Sequence, residues 1–256
     1  MSSGNPKPTI ALVTGAWHSP KHYHELLNLL NKAGFPTECV KLPSVNSQDP
    51  ENQTLAADVD AIREKLLLPL IHQGREVVLL MHSYGGCVGG AAAKGLSRAE
   101  LGSEATGAVI GLVFFAAFLV PEGNSVIQTA GGKLATWIVD KGDGQLDVDN
   151  PAQVFFIDAP VDKASWAVSE LGLQSLESVS SPCPPTAWDS SAFDGRRGYI
   201  YSRRDEVIQL FAQEMMINLS GVEWNIKEMD TGHSPHLSNS QELAEHIEDI
   251  ISSFEA

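Results

Sequence analysis

Short apolar runs separated by helical patterns recur along this chain from Thr9 almost to its end. TIALV (9 to 13) opens the series, and a helix is expected near His22 to Lys32, closed by Gly34. Next come a strand around Cys39 to Leu42, an amphipathic helix near Leu55 to Leu67, and the strand EVVLLM (76 to 81). The rhythm resumes with AVIGLVFFAAF (108 to 118), GYIYS (198 to 202) and EWNIKEM (223 to 229). A last helix, Gln241 to Ile251, sets Leu243, Ile247, Ile250 and Ile251 on one face. Several runs are apolar throughout rather than alternating, as strands covered on both faces are. That order predicts an α/β protein with a doubly wound, mostly parallel sheet and right-handed crossovers.

Between Pro121 and about Arg197 the rhythm fails. The stretch holds Gly131-Gly132, the acidic KGDGQLDVDN and the proline-rich SPCPPTAW, and a helical cap over the carboxyl edge of the sheet is expected there. The chain then divides into a disordered N-terminus (1–8), a core (9–120 and 198–256) and a cap insertion (121–197). Trp137, Phe155, Phe156, Trp166 and Trp188 are too many aromatic residues for a solvent-facing linker.

The length of 256 residues suits one large domain with a full core. Lys+Arg 17 against Asp+Glu 32 leaves a net charge of -15, a balance that repels nucleic acid and anionic membrane. The opening MSSGNPKP lacks the apolar region of a signal peptide, and no apolar run approaches the roughly 20 residues that span a bilayer, so a cytoplasmic protein is expected. Cys39, Cys87 and Cys183 are odd in number and widely spaced, which fits reduced thiols and no metal site. A small molecule is the expected partner, and a homodimer is left open.

The segment EVVLLMHSYGGCVGG, Glu76 to Gly90, carries the first candidate chemistry. An apolar strand stops at a serine and gives way to glycines, as in a strand-turn-helix elbow that lifts the serine clear of the sheet in a strained backbone conformation. Gly85, Gly86, Gly89 and Gly90 let the following helix press against the strand with its N-terminal N–H groups aimed at Ser83. A serine hydroxyl needs a base, and the base an orienting carboxylate. MDTGHSPHLS follows the last strand and offers His233 after the turn-forming Gly232, ahead of the alternative His236. YIYSRRDEV follows the preceding strand and offers Asp205, with Glu122 as a competitor and a helix cap as the plain alternative.

Acyl transfer also needs two N–H donors for a tetrahedral oxyanion. Tyr84, next after the serine, is one candidate; Ala16 in TGAWHSPKHY is the other, with Trp17 as alternative. His82, Trp17, Trp166 and Trp188 are assigned to the substrate pocket, while His18, His22, His24, His72 and His246 are expected to face solvent or to be structural.

With these motifs in order, the chain resembles the α/β-hydrolase superfamily, and within it the small cofactor-free branch of plant methylesterases and hydroxynitrile lyases. TGAWHSPKHY, HSYGG, AAFLVPEG, YSRRDEV and DTGHSPHLS carry the resemblance over nearly the whole chain. It implies Ser83 as nucleophile, His233 as base, Asp205 as acid, Ala16 and Tyr84 as the oxyanion hole, and no cofactor. Met81 stands where the family elbow has glycine, which points to crowding or an altered turn there, and Thr14 stands where a histidine usually precedes the oxyanion-loop glycine, which bears on the placement of that loop. Gly15 and Ser234 replace the threonine and lysine characteristic of the lyases, which disfavours cyanohydrin cleavage. The leading reading is a serine hydrolase for an ester or lactone of a small, largely apolar molecule; cofactor-free C–C cleavage in the same pocket and a catalytically weak receptor are the rivals.

Overall fold

Every apolar run singled out above becomes a strand in the computed structural model, which describes residues 7–254. In chain order the strands are β1 (Thr9–Val13), β2 (Thr37–Cys39), β3 (Glu76–His82), β4 (Ala108–Phe115), β5 (Ile138–Asp140), β6 (Gln145–Val148), β7 (Gln174–Ser175), β8 (Arg197–Ser202) and β9 (Asn225–Met229). Six of them form one sheet in the order β2-β1-β3-β4-β8-β9, with all pairings parallel. The helices Leu55–Ile62 and Gly85–Ala92 pack over one face. The helices His24–Lys32 and Ser240–Phe254 pack together over the other. Leu79 and Met81 of β3 belong to the first apolar layer, Val78 and Leu80 to the second. The continuous apolar run is therefore a consequence of burial on both sides, and each such side chain contributes roughly 1.5–3 kcal/mol.

The register sets Val13 beside Met81 and His82 beside Phe115. The carboxyl ends of β1, β3 and β4 therefore lie level, and the loops that follow them meet at one edge. This is the edge of a parallel sheet where ligands bind.

Three local features differ from the sequence expectations. β2 ends at Cys39 rather than running to Leu42; it is a short, half-exposed edge strand, and Leu42 is buried in the cap-side core instead. The helix expected over 55–67 is regular only to Ile62. Arg63–Leu67 forms a wider turn in which the Leu68 N–H donates to the Arg63 carbonyl, a loosening that accommodates Pro69, which has no N–H of its own. The cap is the largest correction. Beside short helices such as Pro151–Phe155, Val161–Ser169 and Leu176–Ser180, it contains a three-stranded antiparallel sheet, β5-β6-β7. Its signal is the alternation in Gln145–Val148, where Leu146 and Val148 point inward.

Residues 1–6 of the segment expected to be disordered lie outside the described residues. Lys7 is placed, donating from Nζ to the Ala33 carbonyl at 2.9 Å. Among the described residues no helix is long and apolar enough to cross a membrane.

Candidate active site

β3 ends at His82, and Ser83 follows in the left-handed region at φ 54°. A bulkless neighbourhood makes this turn feasible. A Cβ on Gly85 would overlap the carbonyl oxygens of Val13 and Thr14, and one on Gly86 the carbonyl of Phe118. The strained turn is tied to the next strand end as well: the Ser83 N–H donates to the Ala116 carbonyl (3.1 Å), and the Ser83 carbonyl accepts from Phe118 (3.1 Å). Met81 does not distort it. Its thioether fills the space left by Gly89, whose Cβ would lie 2.6 Å from the Met81 sulfur.

The loops after β8 and β9 bring the other two candidates to Ser83. His233 Nε2 lies 3.0 Å from Ser83 Oγ, and His233 Nδ1 lies 2.8 Å from Asp205 Oδ2. With Nδ1–H donating to the carboxylate, Nε2 presents its lone pair to the hydroxyl. Asp205 is held in turn by the backbone N–H groups of Val207 (2.8 Å) and Ile208 (2.9 Å), which donate to Oδ1. The next helix, Leu210–Ser220, begins beyond it, so Asp205 caps no helix. Glu122 is exposed and makes no hydrogen bond to His233.

Ala16 and Tyr84 line the same cavity as Ser83, and among the described residues neither backbone N–H has a hydrogen-bond acceptor. The Trp17 N–H, the alternative donor, is taken: it donates to Gln174 Oε1 at 3.0 Å.

The cavity beside Ser83 has a volume of about 160 Å³ and is walled by Trp17, Phe118, Ile127, Trp137, Phe155 and Val207, among others. Trp17, Trp137 and Phe155 pack edge-on or tilted with ring centroids 5.6–5.8 Å apart. Among the described residues Lys133 is the one charged side chain on its lining. Such a wall binds by apolar area, with orientation left to a few polar groups.

Three residues assigned to the pocket from sequence lie elsewhere. Trp188 is buried in the core, against Gly90, with its carbonyl accepting from Arg197 Nε (2.6 Å). Trp166 is 41% exposed and sits beside His22 on a separate open groove with Lys163 and Glu25. His82 lies behind the elbow: its Nδ1 accepts from the Tyr23 hydroxyl (2.7 Å), and its Nε2 donates to the His233 carbonyl (2.9 Å). Of the five aromatic residues named in the cap, Trp137 and Phe155 face the cavity, and no local sequence signal sets them apart from the others.

Of the two roles expected for His18 and His22, solvent-facing or structural, both take the buried, structural one. With His82 and His236 they form a buried group behind Ser83 and His233, His18 lying 5.6 Å from His82 and His236 4.8 Å from His82, centroid to centroid. Burial, with neighbouring imidazoles second, holds His18, His82 and His236 well below the ordinary histidine range, so the group is neutral at physiological pH. Asp58, buried beneath the elbow, is pushed up to about 6 by burial, against hydrogen bonds from Ser44 and Tyr84 that lower it.

A family model described as "Alpha/beta hydrolase family" matches residues 10–246. "Alpha/beta hydrolase nvfD" of Aspergillus novofumigatus (strain IBT 16806) is 32% identical over 237 residues, 91% of this chain and 92% of that protein. Among solved structures, polyneuridine aldehyde esterase superposes with a TM-score of 0.75 at 19% identity, covering 95% of this chain and 99% of that one. A methylesterase, MES16, from Arabidopsis gives 0.73 at 17% identity, covering 96% and 99%. At these identities the two structures speak to the fold.

Proposed function

The chain belongs to the alpha/beta hydrolase family and is a hydrolase; on that footing we propose that it cleaves an ester or lactone of a small, largely apolar molecule through an acyl-enzyme on Ser83. The observation that carries this reading is the continuous path Ser83 Oγ, His233 Nε2, His233 Nδ1, Asp205 Oδ2, at 3.0 and 2.8 Å, opening on a cavity that also holds two N–H groups without acceptors.

In this mechanism Ser83 Oγ attacks the carbonyl carbon while its proton passes to His233 Nε2. The oxyanion gathers between the N–H groups of Ala16 and Tyr84, and Asp205 stabilises the imidazolium through Nδ1–H. Collapse expels the alkoxide, which takes the proton from Nε2, and leaves the acyl group on Ser83. Water, deprotonated by the same nitrogen, then attacks the acyl carbon and releases the acid. The buried histidines behind His233, their pKa values lowered by burial, favour the neutral form and so add no charge against the imidazolium. Lyase chemistry is disfavoured by the loop itself: a Cβ at Gly15 would lie 3.0 Å from His82 Nδ1 and 3.1 Å from Ser83 Cβ, leaving little room for the lyase threonine.

A panel of p-nitrophenyl esters tests the reading. Neutral short and medium acyl or aryl esters should turn over, and charged acyl groups poorly. A best substrate bearing several charges, or binding of esters without turnover, would contradict it.

A further inference from the structure

The oxyanion loop carries a second strained residue. Trp17, next to Ala16, is a bulky side chain at φ 62°, a conformation that persists only where the surroundings impose it. Three hydrogen bonds do so, each to the cap. The Trp17 N–H donates to Gln174 Oε1 (3.0 Å), its carbonyl accepts from the Gly172 N–H (2.8 Å), and its indole Nε1 donates to the Leu146 carbonyl (3.0 Å).

Gln174 is fully buried, and its amide group is spent on a polar chain that runs beneath the site. Its Nε2 donates to Ser44 Oγ (2.8 Å) and Ser178 Oγ (2.6 Å). Ser44 Oγ donates to Asp58 Oδ2 (2.5 Å), and the Ser44 N–H to Asp58 Oδ1 (3.1 Å). The same Oδ2 accepts from the Tyr84 hydroxyl (2.8 Å). Asp58, Ser44, Gln174 and Ser178 are all at 0% exposure. One carboxylate therefore anchors the side chain of one candidate oxyanion donor, Tyr84. Through Ser44 and Gln174 it also anchors the residue beside the other, Ala16.

We infer that Asp58 and Gln174 are positioning residues: a buried hydrogen-bonded hub that sets both halves of the oxyanion hole from behind and makes the hole complete only when the cap is docked. The inference rests on the reading of Ala16 and Tyr84 as oxyanion donors. A buried polar chain with every member satisfied fixes geometry more than it adds stability, because each member has one arrangement that meets its partners. A misplaced oxyanion donor is costly: removing one outright lowers kcat by about 100- to 1,000-fold in serine proteases.

Gln174→Met keeps the length of the side chain and removes both its donor and its acceptor. Tyr84→Phe removes a single hydroxyl and keeps the backbone N–H, which guards against a Gln174 variant that fails to fold. On a small acetyl ester, kcat should fall by about 10- to 100-fold for Gln174→Met and less for Tyr84→Phe, with KM within about threefold of the parent. Affinity for a trifluoromethyl ketone should fall in step with kcat. That inhibitor adds Ser83 Oγ to its carbonyl carbon, the proton passing to His233, and leaves an oxyanion in the hole. Turnover within twofold of the parent in both variants, a loss confined to KM, or a loss that only follows the folded fraction measured by circular dichroism would overturn the hub. Ser83→Ala run alongside separates the two levels: Ser83-dependent turnover with unaffected variants refutes the hub alone, whereas turnover that survives Ser83→Ala refutes the hydrolase mechanism and the hub with it.

Discussion

Ser83, His233 and Asp205 each follow a strand of the six-stranded sheet within a few residues, whereas Trp137 and Phe155 reach the cavity beside Ser83 from the cap, and Trp17, though it also follows a sheet strand, is held there by bonds to the cap. The first group is held by local backbone: a left-handed turn, two N–H donors on Asp205, and a loop returning from β9. The second is held by bonds between residues far apart in sequence, such as Trp17 to Gln174 and Gly172. Under the proposed mechanism reaction type and substrate choice belong to different parts of the molecule, and substitutions should separate them.

Ser83→Ala has the largest expected effect, a loss of several orders of magnitude in kcat on every substrate, because only binding and the oxyanion hole remain. Steady-state rates on two unlike esters check this; a loss on one ester only would break the division between core and cap. Asp205→Asn comes next. An amide leaves His233 free to take the wrong tautomer, and kcat should fall by about 10³- to 10⁴-fold, while Glu122→Gln leaves it unchanged. Equal effects of the two would place the acid elsewhere.

The two tryptophans sharpen the comparison from the other side. Trp188→Ala empties a core position against Gly90, and should cost about 3–5 kcal/mol in urea-induced unfolding with KM unaltered. Trp137→Ala, on the cavity wall, should raise KM for bulky esters about tenfold and leave an acetyl ester and the unfolding midpoint nearly unchanged. If Trp188→Ala changed selectivity and Trp137→Ala stability, the assignment of the cavity wall would be inverted.

The smallest effect is in pH. His18, His82 and His236 have folded-state pKa values below the ordinary 6.5, so the unfolded chain binds more protons below that pH. Their contribution is complete above about 6.5 and is lost as pH falls, by up to about 1.4 kcal/mol per histidine per pH unit. Asp58 acts oppositely: raised from 3.8 to about 6, its term declines as pH rises across that interval. Three histidines outweigh one carboxylate, so urea midpoints should fall between pH 6.5 and 5. A rise over that window would mean that the buried histidines are charged in the folded protein.

What was legible in the sequence follows the same division. TIALV, EVVLLM and AVIGLVFF reveal themselves because a strand buried on both faces must be apolar at every position. The candidate triad is legible because each member sits just past such a run, and Gly85 and Gly86 mark where backbones must touch. The core position of Trp188 is not legible, since nothing local to SPCPPTAW reports that Gly90, some hundred residues earlier, leaves a space for it. The Asp58 hub was invisible for a like reason: Ser44 and Gln174 are 130 positions apart, and neither carries a motif. His18 and His22 look like loop histidines until the Phe155-Phe156 pair of the cap is seen to cover them.

The most direct test of the central claim is to react the protein with a fluorophosphonate and map the adduct by mass spectrometry. One equivalent should add, on Ser83, with fluoride leaving and the serine proton passing to His233; labelling should vanish in Ser83→Ala and slow sharply in Asp205→Asn. An adduct on another residue, or a protein that turns over esters yet stays unlabelled, would contradict the acyl-enzyme mechanism.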